Sequence, residues 1–216
     1  DREAGAVIDR IDKAHEARLR ELLKQREGWF PISAVGRRAA EAAYQIVQHS
    51  DDQAFKKDAL SPDAYGELIL STTRLNSVGA DLSEEPAVHA MTDVTGFGIL
   101  GHGLEMARGS SATVAIEAGA LPFLSQAGEL ARQGFVTGAS HRNWQSYGAD
   151  VALPDGLPDW KRHLLTDPQT SGGLLLAVDP AEAGRILLSI REAGYPAAAD
   201  IGSIRRGEAC LVVEDA

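Results

Sequence analysis

Between Arg2 and Arg26 the apolar residues Val7, Ile8, Ile11, Leu19, Leu22 and Leu23 fall near helical spacing, and Asp9/Lys13 and Glu16/Arg20 place opposite charges one turn apart. This pattern predicts an amphipathic helix. Gly28 and Pro31 interrupt it, Ser33 can cap a second helix, and the run AAEAAYQIVQH carries that helix to Ser50-Asp51-Asp52. Residues 1–60 therefore read as a helical hairpin segment.

A new start signal follows, with Ser61 at the cap and Pro62 at the first helical position before AYGELILSTTRLN. Beyond it the texture alternates. AVHAMTDV, TVAIEA, GGLLLAV and ACLVVE read as strands, whereas ILGHGLEMAR, LPFLSQAGELARQ and PAEAGRILLSIREAG read as helices, with Gly and Pro between them. Interleaved elements over 61–216 predict a layered α/β domain on a single sheet.

Composition adds exclusions. In 216 residues, 44% hydrophobic and 24% charged, nothing suggests wholesale disorder or a disulfide-stapled miniature. No apolar run approaches the ~20 residues a bilayer span needs, and the first twenty positions hold no apolar signal core, so the expected setting is cytoplasmic, away from membranes. The net charge of -10 is unevenly placed: residues 1–60 hold 11 basic and 11 acidic side chains, residues 61–216 hold 10 and 20. Such a surface repels phosphodiester backbones, and nucleic-acid binding is not expected. Cys210 stands alone, without the neighbours a disulfide or zinc site requires, and reads as a small core residue.

Three polar, glycine-rich segments carry the candidate chemistry. The first, HAMTDVTGFGILGHG, puts Asp93 at the end of a strand, followed by a turn at Thr95, Gly96 and Gly98 and then a helix. That order can hold a phosphate with its metal: glycines admit close backbone approach, helix-start amides face an anion, and a carboxylate supplies a hard oxygen to Mg²⁺. A tight turn with Asp93 merely capping is the structural alternative. Gly96, Gly98 and Gly101 also trace a dinucleotide-type fingerprint, but only 16 residues separate Gly101 from Glu117, and Asp93 would face a pyrophosphate with no metal between them. The second segment, TGASHRNWQSYG over 137–148, suggests either an anion-binding loop or an ordered surface loop pegged by Trp144 and Tyr147. The third, LLTDPQTSGGLLL over 164–176, can close over a phosphate or bury its hydroxyls against its own backbone. The six histidines show no metal-pair spacing; His89 and His102 flank the glycine-rich turn and read as hydrogen-bonding or packing residues.

Together HAMTDVTGFGILGHGLEMARGS, GASHRNWQSYG and LLTDPQTSGGLLLAV resemble the C-terminal half of selenophosphate synthetase, also called selenide, water dikinase, over roughly residues 61–216. The resemblance implies a domain like the C-terminal domain of aminoimidazole ribonucleotide synthetase, an α/β/α sandwich with a mixed sheet, preceded here by the helical segment. It implies conversion of ATP, selenide and water to selenophosphate, phosphate and AMP. In that pattern Asp93 binds Mg²⁺, the Thr95, Gly96 and Gly98 turn adjoins the ATP site, and loops 140–143 and 166–173 carry family signatures.

The family's N-terminal half carries a catalytic Cys or selenocysteine near a Lys, further Mg²⁺-binding aspartates and most ATP contacts; residues 1–60 do not match it. GWFPISAVGRRAAEAAYQIVQHSDD instead resembles an uncharacterised bacterial helical family. The expectation is a domain holding part of a Mg·ATP site and inactive alone, completed by an N-terminal catalytic domain in trans or by self-association. The alternative is a non-catalytic scaffold or interaction module retaining the fold.

Overall fold

The computed structural model describes residues 60–214; the helical hairpin expected over 1–60 lies, except for its last residue, outside the described residues. In chain order the elements are α1 (Pro62–Thr73), α2 (Val78–Leu82), β1 (Val88–Asp93), α3 (Gly98–Ser110), β2 (Ala112–Glu117), α4 (Ala127–Arg132), α5 (Gly138–Tyr147), a 3₁₀ turn (Gly148–Asp150), β3 (Val151–Ala152), α6 (Asp159–Thr166), β4 (Leu174–Val178), α7 (Ala183–Glu192), β5 (Gly202–Arg206) and β6 (Leu211–Glu214). The Ser-Pro start works as expected: the Ser61 side chain accepts from the Ala64 amide at 3.2 Å, with Pro62 opening α1.

The fold is α/β with a mixed sheet, but the strands divide into two sheets rather than one. β1 and β4 form an antiparallel ribbon, while β3, β6, β2 and β5 form a second sheet in that order, parallel except for β5 against β2. The physical cause is α3. Its Leu100, Leu104 and Ala107 pack on Val114, Ile116, Leu211 and Val213 of the larger sheet, and its Met106 packs with Val94, Leu175 and Ala177 beside the ribbon. A helix buried on two sides holds the strands apart in separate layers. The ribbon's opposite face carries Val88, Met91, Leu176 and Val178 against Leu82 of α2 and Ile186 and Ile190 of α7.

Close approach in this stack explains two of the glycines. A Cβ on Gly103 would stand 2.6 Å from Leu211 Cδ1, and one on Gly101 would stand 3.1 Å from the Tyr147 ring. The glycine series of α3 thus serves packing against a sheet strand and α5. The dinucleotide outline fails for the same architectural reason, since β1 and β2 belong to different sheets and form no parallel β-α-β unit.

Two local readings change, and one strand is added. LPFLSQAGELARQ is helical only over Ala127–Arg132, because the Ser125 amide donates to the Glu67 carboxylate at 3.0 Å and Gln126 Oε1 accepts from the Ser61 amide at 3.0 Å, tying this stretch to α1. The TGASHRNWQSYG loop is the helix α5, capped by Thr137, whose hydroxyl accepts from the Ser140 amide at 3.1 Å. Its buried stripe is Ser140, Asn143 and Tyr147, a helical spacing built largely from polar side chains. GSIRR forms the exposed strand β5, where Arg205 meets Glu214 at 3.0 Å.

Candidate functional site

The ribbon brings the first and third glycine-rich segments together, because the end of β1 pairs with the start of β4, Asp93 opposite Leu174. The Val94 amide donates to the Gly173 carbonyl at 2.9 Å, and the Gln169 amide donates to the Thr95 carbonyl at 2.9 Å. A Cβ on Gly172 would fall 1.9 Å from the Val94 carbonyl oxygen, so only glycine lets these loops lie flat on each other. Asn76, just past α1, donates to the Gly172 carbonyl at 2.8 Å and fastens the loop from its other side.

The second segment supplies the clamp. The Asn143 amide nitrogen donates to the Gly96 carbonyl and to the Thr166 carbonyl, each at 2.9 Å, and Tyr147 donates its hydroxyl to the Phe97 carbonyl at 2.6 Å. Burial pushes the Tyr147 phenol up to about 12, so it remains a donor at physiological pH. Thr137 also donates to Asp167 Oδ1 at 2.8 Å. Beneath these contacts the buried Ser140 hydroxyl meets Thr166 Oγ1 at 2.7 Å and His163 Nδ1 at 3.0 Å. Burial, with His141 and Arg162 nearby, holds the His163 imidazole below its ordinary value.

The four residues singled out at the turn differ in exposure. Asp93 is exposed, and among the described residues its carboxylate has no hydrogen-bond or ion-pair partner. Gly96 is exposed, with open space where a Cβ would be. Thr95 is half-buried, its hydroxyl 3.0 Å from His102 Nε2. Gly98 is buried at φ +67°, and its open side faces the backbone of Leu165 to Asp167 rather than solvent. Among the described residues no group of three or more His, Cys, Asp or Glu could hold a metal ion by itself. A single free carboxylate still fits one ligand position of Mg²⁺, which usually binds through one or two carboxylates plus substrate phosphates and water. Asn143 lies in the 140–143 signature that the sequence singled out without a role, whereas Asn76 and the His102 contact were not marked as site residues, since a lone Asn or His at those separations carries no spacing signal.

Residues 36–212 match the family model for AIR synthase related protein, C-terminal domain, and the chain belongs to that family. The matched stretch begins upstream of residue 60, where the texture of the sequence changes. The chain is 61% identical over 160 residues to a selenide, water dikinase of Rhizobium meliloti, covering 74% of this chain and 46% of the relative. It is 51% identical over 156 residues to the selenide, water dikinase of Burkholderia pseudomallei, covering 72% and 44%, and 46% identical over 154 residues to that of Pseudomonas straminea, covering 71% and 43%. The chain thus spans a little under half the length of these relatives. Among the described residues no helix is long and apolar enough to cross a membrane.

Proposed function

We propose that this chain acts as the C-terminal part of a selenide, water dikinase, supplying one carboxylate, Asp93, to a Mg²⁺ ion on the polyphosphate of ATP. The observation that carries the reading is the exposed Asp93 carboxylate, without a partner among the described residues, beside the open Gly96 at the end of a buttressed ribbon. A carboxylate used only to cap the turn would be spent on backbone amides. When bound, the cation supplies neutralisation of charge on the transferring phosphoryl group. This chain's residues position it: Asp93 offers the oxygen, Asn143 and Tyr147 fix the Gly96 and Phe97 carbonyls, and Gly172 and Gly173 hold the facing loop.

One carboxylate is too few to complete such a site, so the remaining ligands and the selenium-handling groups come from a catalytic N-terminal domain. The test is ATP turnover with selenide by this chain alone and mixed with a separately produced N-terminal half of a selenide, water dikinase. Turnover that appears on mixing and vanishes with Asp93→Ala supports the reading; a mixture that stays inactive, or an Asp93→Ala chain that performs equally, overturns it.

A second reading, a non-catalytic interaction module, has one observation in its favour: Phe97, 51% exposed, projects beside Gly96 where a docking partner would cover it. Mg·ATP calorimetry separates the two. Micromolar binding favours the phosphotransferase, and silence together with a stable oligomer by light scattering favours the module.

A further inference from the structure

Behind the Asp93 turn runs a chain of three side chains that neither the loop contacts nor the proposed metal position uses. Thr95 Oγ1 lies 3.0 Å from His102 Nε2, and His102 Nδ1 lies 2.9 Å from Glu105 Oε2. An ionised Glu105 carboxylate can only accept, so Nδ1 carries the hydrogen of that contact, and in the tautomer protonated at Nδ1 alone Nε2 accepts from the Thr95 hydroxyl. His102 is 6% exposed, and the Phe97 ring tilts against it with centroids 5.8 Å apart. An enclosed imidazole with both nitrogens engaged has one orientation.

The consequence reaches the surface through Thr95. Engaged by His102 at 3.0 Å, the Thr95 hydroxyl is tethered, and the Thr95 carbonyl is held by the Gly98 amide at 3.1 Å and the Gln169 amide at 2.9 Å. The residue two positions beyond Asp93 is therefore anchored through side chain and main chain alike. Hydrogen-bonding groups that stand behind a metal ligand and orient it typically cost about 10–100-fold in metal affinity when they are removed.

We propose that His102 is a positioning residue of the cation site: oriented by Glu105, it fixes Thr95 and so the turn from which Asp93 presents its carboxylate. The proposal rests on Asp93 being a magnesium ligand. A buried histidine that only satisfies its own nitrogens would contribute to stability and leave metal affinity unchanged.

The experiment measures Mn²⁺ binding in the presence of ATP by electron paramagnetic resonance, on the chain mixed with a separately produced N-terminal half of a selenide, water dikinase that supplies the remaining ligands, with thermal unfolding of the chain alongside. It uses the full chain and the variants His102→Leu, His102→Gln, Thr95→Val and Asp93→Asn. Expected are about tenfold weaker Mn²⁺ binding for His102→Leu and Thr95→Val, no further loss when the two are combined, and near-native affinity for His102→Gln, whose amide oxygen can still accept from Thr95. Should His102→Leu fail to fold, Thr95→Val, which loses only a hydroxyl, carries the same comparison. If Asp93→Asn loses Mn²⁺ while Thr95→Val and the folded His102→Leu chain keep it, the positioning role alone is overturned. If the mixture with Asp93→Asn binds as tightly as the mixture with the unaltered chain, or the unaltered mixture binds no more Mn²⁺ than the N-terminal half alone, the metal reading fails and the proposal goes with it.

Discussion

Gly98 and Thr166 meet backbone to backbone: a Cβ on Gly98 would stand 2.7 Å from the Thr166 carbonyl carbon and 2.9 Å from the Asp167 carbonyl oxygen. The start of α3 and the end of α6 are locked together at this point, below the surface that carries Asp93. The glycine pattern of the turn is thus used partly by the protein's own loop and only partly by the open edge at Gly96.

Gly98→Ala is expected to destabilise the chain by on the order of 2–4 kcal/mol, from the positive φ and from the overlap with the 165–167 backbone. Gly96→Ala, with open space and no positive φ, should stay within about 0.5 kcal/mol. Urea unfolding of the two variants measures the contrast, and equal losses would contradict the packing described.

Asn143→Ala leaves the Gly96 and Thr166 carbonyls without their shared donor and should cost about 2–4 kcal/mol. Asn143→Asp has nearly the same shape, yet an ionised carboxylate donates nothing and would face two carbonyl oxygens. The aspartate variant should therefore be the less stable of the two at neutral pH, by chemical denaturation.

Stability should fall as pH drops below about 6.5, because the unfolded His163 imidazole takes up its proton there while the buried native one resists it. The folded value is the lower one, so the unfolded state binds more protons in this window and stability rises with pH. Below the folded value the loss levels off. His163→Asn should flatten the part of the slope just below pH 6.5 that belongs to this residue, in denaturation series at several pH values.

Tyr147→Phe removes the donor to the Phe97 carbonyl and should cost about 1–2 kcal/mol. Arg108→Ala breaks an ion pair with Asp150 in which both side chains are about half exposed, and should cost under about 1 kcal/mol. Melting temperatures of the pair of variants check the ordering.

Elements with strong apolar periodicity or clear start signals were legible in the letters. β1, β4 and β6 lie within their predicted runs, β2 starts one residue ahead of TVAIEA, α1 begins at Ser61-Pro62, and α7 falls inside PAEAGRILLSIREAG. α5 was not, since Ser140 and Asn143 occupy the buried helical stripe and satisfy themselves by hydrogen bonds that no hydropathy pattern records. β5 escaped because an exposed strand bearing Arg205 and Arg206 looks like a polar loop.

The sequence alone determined the family, the alternation of strand and helix, and the order of the three signatures, because local periodicity, capping residues and motif identity are properties of neighbouring letters. Only the tertiary structure decided that the strands split around α3, that Asn143 joins segments 47 and 23 residues away, and that Asp93 stays exposed while Gly98 turns inward. Those outcomes depend on which distant backbone groups claim each donor and each unfilled space, and that competition is settled only when the layers pack.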